Sequence, residues 1–386
     1  MGGRITGLAA ARTLADHNSE VVVLDKGRGP GGRASTRWRD GPVFDHGAQY
    51  STARDPRFGR VVESWLERGL VAAGALSLAS IDRLGEVRMN VSSDTRTSAR
   101  RAKAVSGAHE RDAGPTGEVR HGRRAKWIER IDAGWSVACD DGARLDGFDA
   151  MIVAVPAPQA LELIAGVLPL AEEIRQESMA PCWAAMCAFG SRLPIEADGL
   201  FVNLDTHALS WAIRDSSKPG RPEGEPWVLH ATDSWMREHL ELDRGEVAAR
   251  LQAVLSSAVG ETLPEPEHAS VHRWLYELGS LDPAPEILFD RQRGLVLVGD
   301  WCAAGRIEAR TSAVLRRRGV CSGTWCTRRS RSVRGVLGRR HCSGIDAGTS
   351  VSRGLAESTR RDRRRAARRP AAGWWHRSRA ESTVGV

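Results

Sequence analysis

Residues 2–33 constrain the fold more than any other stretch of the chain. Gly2-Gly3-Arg4-Ile5-Thr6-Gly7 leads into an Ala- and Leu-rich run, then Val21-Val22-Val23-Leu24-Asp25, then KGRGPGGR from Lys26 to Arg33. A glycine turn opens a helix, a buried strand follows, and an acid stands at the strand's end, which is most of a βαβ unit. The glycines let main chain approach a pyrophosphate, and the helix N-terminus attracts its charge. Asp25 falls 18 residues after Gly7, about where a carboxylate meets an adenosine ribose. A plain packing turn is the alternative, but helix, strand, terminal acid and second glycine cluster in register favour a nucleotide site. Two positions depart from the pattern. Met1 falls immediately before the turn, so the first strand has no counterpart. Arg4 occupies the middle glycine position, where a side chain fills space the pyrophosphate would use.

Other segments carry a family resemblance. Asp25-Lys26-Gly27-Arg28-Gly29-Pro30-Gly31-Gly32-Arg33 resembles the second FAD motif of the flavin amine oxidase superfamily. Phe44 to Tyr50 (FDHGAQY), Ala53 to Phe58 (ARDPRF), Leu209-Ser210-Trp211, Ser216 to Pro222 (SSKPGRP) and Trp227 to Ala231 (WVLHA) resemble its renalase-like branch. Gly294 to Trp301 (GLVLVGDW) resembles the closing FAD motif, and the likeness spans about residues 2–308. It implies an α/β fold: a Rossmann-type FAD-binding domain, first strand missing, with an inserted mixed β-sheet substrate domain.

Read this way, residues 1–87 are the N-terminal part of the FAD-binding lobe and 118–174 its hairpin and strand. Residues 175–290 are the substrate-side lobe, and 291–308 close the FAD lobe. Two stretches do not fit. Residues 88–117 are nearly free of large apolar side chains, as in a frame-damaged segment or a surface insertion. Residues 309–386 form an Arg-rich tail without apolar periodicity, expected to be disordered. The tail holds 20 Arg and 4 acidic residues, a charge of +16, so the body carries −8 and the whole chain's +8 misleads. The abrupt change after Glu308 suggests a shifted reading frame.

Apolar spacing predicts a helix over 57–69, a hairpin over 126–148, a strand from Ala150 to Val155 and a helix from Ala157 to Ile164. Strand-like runs fall at 182–190, 199–203, 208–213 and 227–232. Val247, Leu251, Val254, Leu255 and Val259 share one face of a helix over 245–259, and a strand runs from Leu295 to Val298.

The cofactor-binding candidates are Gly2, Gly7, Asp25, Lys26, Gly31, Gly32, Arg33, Gly47, Ala48, Gly299 and Asp300, with FAD as the implied cofactor. Asp25 would take the ribose, Arg33 would offer charge-assisted hydrogen bonds to pyrophosphate, and Asp300 would meet the ribityl chain or the phosphate. Gly47 and Ala48 would leave room for a flat ring whose edge Gln49 could hydrogen-bond. Gln49, Trp211 and His230 are the catalytic candidates, with Trp274 and Tyr276 as further members of a substrate cage, although aromatic residues at strand spacing are often simply core. No carboxylate pair, Ser/His/Asp set or metal cluster stands out, and Cys139, Cys182, Cys187 and Cys302 lack CxxC spacing.

That absence suits flavin chemistry, in which N5 accepts hydride and the protein positions the substrate. The renalase-like resemblance implies oxidation of a dihydropyridine such as an isomeric form of NAD(P)H, with oxygen reoxidising the flavin. An amine oxidase would hold its substrate in an aromatic cage, often with a lysine near N5, and Lys218 in its loop-like segment fits that role poorly. Two other readings stay open: a flavoenzyme remnant unable to hold FAD, and nucleic-acid or acidic-surface binding through the tail. No run of about 18 apolar residues indicates a membrane span, and a cytoplasmic protein acting on a small molecule is expected.

Overall fold

The computed structural model describes residues 1–38, 42–90, 96–99, 117–166, 170–175, 179–203, 208–279 and 287–302. The Arg-rich tail and most of the 88–117 segment lie outside these residues. All of the described residues belong to one compact unit of the chain.

The glycine turn opens the helix Ile5–Ala15, whose Leu8, Ala9, Ala10 and Ala11 are buried. Small side chains on that face let the helix lie close on the strand Val21–Asp25, where Val23 and Leu24 are buried. That strand pairs in parallel with Gly117–His121. Across a slot, Met151–Val153 pairs in parallel with Leu295–Leu297, which pairs antiparallel with Leu288–Asp290. The main chain of Met1 and Gly2 bridges the slot. Met1 donates to the Ile152 carbonyl at 2.5 Å and accepts from the Ala154 amide at 2.8 Å, while the Gly2 amide donates to Leu24 at 2.8 Å. These two residues join the halves of the sheet by main-chain hydrogen bonds.

The stretch read as one hairpin is a three-stranded antiparallel meander, Ala125–Ile131, Gly134–Cys139 and Arg144–Phe148. The helix Ala157–Leu163 and the fully buried Trp135 pack into the core of this lobe.

The stretch read as the substrate-side lobe contributes five strands to a seven-stranded sheet. Its order is His268–Gly279, Met179–Phe189, Glu225–Ala231, Leu209–Arg214, Gly199–Val202, Leu78–Ile81 and Val87–Asn90. One face packs on the helices Asp233–Glu238 and Arg244–Val259, burying Met236, Val247, Leu251 and Leu255. The other face meets Phe44 and Tyr50.

Two boundaries differ from those read in the sequence. Leu78–Ile81 lies in the stretch assigned to the FAD lobe yet pairs in parallel with Gly199–Val202 of the substrate sheet, and Leu288–Asp290 pairs into the nucleotide-side sheet. Two strands fall in or overlap the supposedly irregular 88–117 segment, Val87–Asn90 at its edge and Arg96–Ala99 within it. Their ladders are made by main chain, which needs no apolar side chain. Among the described residues no helix is long and apolar enough to cross a membrane, and no group of His, Cys, Asp and Glu could hold a metal ion.

Candidate active site

The glycine turns are close-packed. A Cβ on Gly7 would lie 1.9 Å from the Gly2 carbonyl oxygen, so only glycine lets the helix meet the strand stub there. Gly2, Gly31 and Gly32 have φ of 99°, 110° and 53°, a region that favours glycine. The Gly31 amide donates to the Gly3 carbonyl at 3.3 Å, joining the two glycine turns. Asp25, 9% exposed, ends its strand against Gly3 and accepts the Gly27 amide at 3.1 Å.

A cleft at the helix N-terminus is lined by Arg4, Thr6, Gly31, Arg33, Val155 and Gly299. Arg4 lies across it: a Cβ on Gly32 would be 2.8 Å from Arg4 Cγ and 3.0 Å from its Nε. Lys26, an exposed residue, has its ammonium pKa lowered by partial desolvation and by the charges of Arg4 and Arg124. Arg33 is buried and donates to the carbonyls of Tyr276 at 2.7 Å and Glu277 at 2.5 Å, tying this loop to the substrate sheet. The Ala48 amide donates to the Arg33 carbonyl at 2.8 Å, and a Cβ on Gly47 would lie 1.9 Å from that same oxygen. The two glycine segments therefore pass in van der Waals contact.

Beyond Gly47 lies a buried ionic cluster that the sequence did not announce. Lys218, fully buried, donates to Asp45 at 2.9 Å, to Gln49 Oε1 at 2.8 Å and to Asp215. Arg221 and Thr36 each donate to Asp45 at 2.6 Å, and the Asp45 amide donates to Asp215 at 2.6 Å. Burial alone would raise the Asp45 carboxyl pKa, but Lys218, Arg221 and Thr36 hold it below the ordinary value. Burial and the Asp45 charge push Asp215 upward against the pull of Lys218. Gln49 is committed here: its amide nitrogen donates to the carbonyls of Asp45 and Gly47, and its oxygen accepts from Lys218. The side chain expected at the flavin edge braces the Gly47 turn, because Lys218 needs a third acceptor.

The helix-free face of the substrate sheet carries a cross-strand row, His272, Ala184, His230 and Trp211, one residue from each of four neighbouring strands. Trp274 follows His272 on the same face, since side chains alternate along a strand. His46 closes over the row, 4.9 Å from His272 and 5.1 Å from Trp274 between ring centroids, and Trp274 Nε1 donates to the His46 carbonyl at 2.8 Å. Tyr50 lies 6.2 Å from Trp211. The Arg37 guanidinium is 3.2 Å from His272 Nδ1. All three imidazoles are held neutral. Burial, then His272 and Arg37, push His46 down to about 3; burial pushes His230 and His272 each down to about 4.

Residues 1–65 match the family described as NAD(P)-binding Rossmann-like domain, and residues 108–308, more than half of the chain, match flavin containing amine oxidoreductase. The chain belongs to the flavin-containing amine oxidoreductase family. Solved structures share its fold at low identity. A protein from Exiguobacterium sp. 255-15 assigned as a protoporphyrinogen oxidase aligns with a TM-score of 0.65 at 16% identity, over 83% of this chain and 97% of its own. Putrescine oxidase bound to putrescine aligns at 0.62 and 13%, over 83% and 97%. An oxidoreductase from Methanosarcina mazei aligns at 0.61 and 13%, over 82% and 98%.

FAD is the cofactor of a flavin-containing amine oxidoreductase, and the residues here fit it. The close-packed turn, the α-helix N-terminus and Asp25 suit an adenosine diphosphate, and Arg4 and Arg33 line the cleft at that terminus, although the Arg33 guanidinium is already bound to the Tyr276 and Glu277 carbonyls. The Arg4 side chain has to swing off Gly32 to admit the phosphates. Of the sequence-predicted residues, Gly2, Gly7, Asp25, Gly31, Gly32, Arg33, Gly47, Ala48 and Gly299 fall along this one path. The main chain of Asp300 enters a turn after Gly299, held by Trp301 Nε1 donating to Val155 at 3.0 Å. Trp211 and His230 adjoin on the substrate sheet, while Gln49 belongs to the ionic cluster. Sequence reasoning missed His46, His272 and the Asp45–Lys218 pairing. The one available signal was that Asp45-His46 and Lys218-Pro219-Gly220-Arg221 both sit in segments resembling one family branch.

Proposed function

We propose that this protein is a renalase-like member of its family, oxidising a small dihydropyridine such as an isomeric dihydronicotinamide, with oxygen as the final acceptor. Bound FAD supplies the two-electron acceptor for a hydride leaving the substrate carbon, and oxygen taking those electrons would be released as hydrogen peroxide. Asp25, Arg33 and the glycine turns would hold the cofactor, Gly47 and Ala48 would leave space beside its ring, and Trp211, His230 and Trp274 would pack the substrate.

The observation that carries this reading is that the imidazoles and carboxylates packed around the histidine row are weak or already engaged as bases. His230 and His272 are held at about 4 and His46 at about 3, while Asp45 and Asp215 are tied to Lys218 and Arg221. An amine reaches its oxidisable form only after losing a proton, which such weak bases take up poorly. A dihydropyridine loses hydride directly to give a pyridinium, with no proton to remove. The test is anaerobic mixing of the FAD-loaded protein with isomeric dihydronicotinamides, putrescine and benzylamine, following bleaching of the flavin band. Reduction by the dihydronicotinamides alone supports the reading; reduction by amines alone overturns it.

A further inference from the structure

Lys218 has no proton left over. An ammonium carries three donors and no acceptor. Asp45, Asp215 and Gln49 take one each, the Asp45 and Gln49 bonds at 2.9 and 2.8 Å. The side chain is fully buried. A lysine so committed has nothing to offer a cofactor or a substrate directly. Its influence on the reaction runs through the groups that it holds.

Those groups converge on one turn. Lys218 follows the short turn Asp215–Ser217, which ends the strand Leu209–Arg214 carrying Trp211. Two of its acceptors, Asp45 and Gln49, flank His46-Gly47-Ala48. A donor-only ammonium also fixes which way the Gln49 amide faces. With the amide oxygen bound to Lys218, the nitrogen points at the carbonyls of Asp45 and Gly47 and donates to both. The far side of the turn is set independently. The Ala48 amide donates to the Arg33 carbonyl at 2.8 Å, and Arg33 is itself bound to the Tyr276 and Glu277 carbonyls. A Cβ on Gly47 would lie 1.9 Å from that Arg33 oxygen, so the turn has no slack in that direction. Loss of the Gln49 brace can be relieved only by movement away from Arg33.

We infer that Lys218 is a positioning residue for the flavin: through Gln49 it holds the Gly47–Ala48 turn in place beside the ring, without touching ring or substrate itself. This rests on the reading that seats the ring next to Gly47 and Ala48, and it is independent of which molecule is oxidised.

The test uses the full-length protein with and without added FAD, as wild type, Lys218→Met, Gln49→Met and Lys218→Met/Asp215→Asn. Amide hydrogen exchange at Ala48 reads the turn. The flavin absorption band and the FAD dissociation constant read its effect on the cofactor. One lost hydrogen bond is worth about tenfold in opening. Lys218→Met and Gln49→Met should therefore each speed exchange at Ala48 about tenfold relative to the helix Ile5–Ala15, weaken FAD binding and alter the flavin band. The double variant separates positioning from plain stability. It restores the charge balance of the cluster, but Gln49 still lacks its donor, so Ala48 exchange and the flavin band should stay as in Lys218→Met. Wild-type exchange and a wild-type band in the double variant overturn the inference, as does Ala48 exchange indifferent to Lys218→Met. If Lys218→Met does not fold, Gln49→Met decides, because it leaves both ion pairs of Lys218 in place: faster Ala48 exchange with an altered band supports the inference, and no change overturns it. A turn that loosens while the band and the FAD affinity stay at wild-type values, or a wild-type protein that takes up no FAD, also overturns it. Reduction of the flavin by amines alone would reject the proposed reaction and leave this inference standing.

Discussion

Lys218→Met removes one charge from the buried cluster while keeping most of the side-chain stem. In the native protein Lys218 and Arg221 balance Asp45 and Asp215, with side-chain exposures of 0%, 3%, 7% and 1%. After the substitution Asp45 keeps Arg221 and Thr36, but Asp215 keeps only the Asp45 amide and carries an unbalanced buried charge. Removing one partner of such a pair costs about 3–5 kcal/mol. The Gln49 oxygen also loses its donor, adding about 1 kcal/mol. Asp215 can limit the damage by taking a proton, because burial and Asp45 already push its carboxyl upward. The expected loss is therefore about 4 kcal/mol at pH 8, or about 10 °C in Tm, and smaller at pH 5 where protonation is easier. Urea denaturation measures this as a drop in midpoint at constant slope. The double variant Lys218→Met/Asp215→Asn should recover at least half of the loss. A single variant within about 1 kcal/mol of wild type, or a double variant no better than the single, would refute the claim that the cluster stands or falls as a neutral unit.

Three further outcomes follow from the cofactor path and the histidine row. Arg4→Gly should tighten FAD binding: two methylenes no longer need lifting off Gly32, about 1.6 kcal/mol, against about 1 kcal/mol for a lost exposed ion pair with phosphate. The gain should be about threefold at low salt and larger at about 0.5 M, where screening removes the ion pair's share; weaker binding by Arg4→Gly at both salts, measured by flavin fluorescence, would place Arg4 on the phosphates instead. Gly7→Ala puts a methyl 1.9 Å from the Gly2 carbonyl oxygen and should cost about 3 kcal/mol along with FAD retention, read by urea midpoint and flavin content; a variant that keeps both would contradict the close packing. His46, His230 and His272 have native pKa values below the ordinary 6.5, so the unfolded chain binds the extra protons. Their contribution to stability is complete above about pH 6.5 and is lost as pH falls toward 4, at up to about 1.4 kcal/mol per pH unit for each ring. His230→Phe should flatten that part of the profile, and an unchanged slope would mean that His230 is protonated in the folded state.

The nucleotide half was legible because its determinants are local. A glycine turn, a helix with small residues on one face, three valines and an acid follow one another within residues 2–25, and close packing explains each glycine after the fact. The strands at Met179–Phe189 and Leu209–Arg214 were legible by apolar runs, with ends shifted by a few residues. Strands in the 88–117 stretch were not, since ladder pairing left no side-chain pattern to read. The active-site residues were harder still. Lys218 and Asp45 lie 173 positions apart, and nothing in Ser217-Lys218-Pro219 says that the ammonium is fully buried. The histidine row likewise exists only in the register of four strands. Trp211 and His230 could be singled out as aromatic and titratable residues in strands, but Ala184, which pairs with both His230 and His272, carries no chemical signal in sequence.

This chain, with Arg4 in its glycine turn, is expected to hold FAD. The measurement is the visible absorption spectrum of the purified full-length protein, followed by quantitation of the flavin released on denaturation. A flavin spectrum with stoichiometric FAD is the expected result. A colourless protein that stays folded and takes up no FAD when the cofactor is added in excess would contradict it.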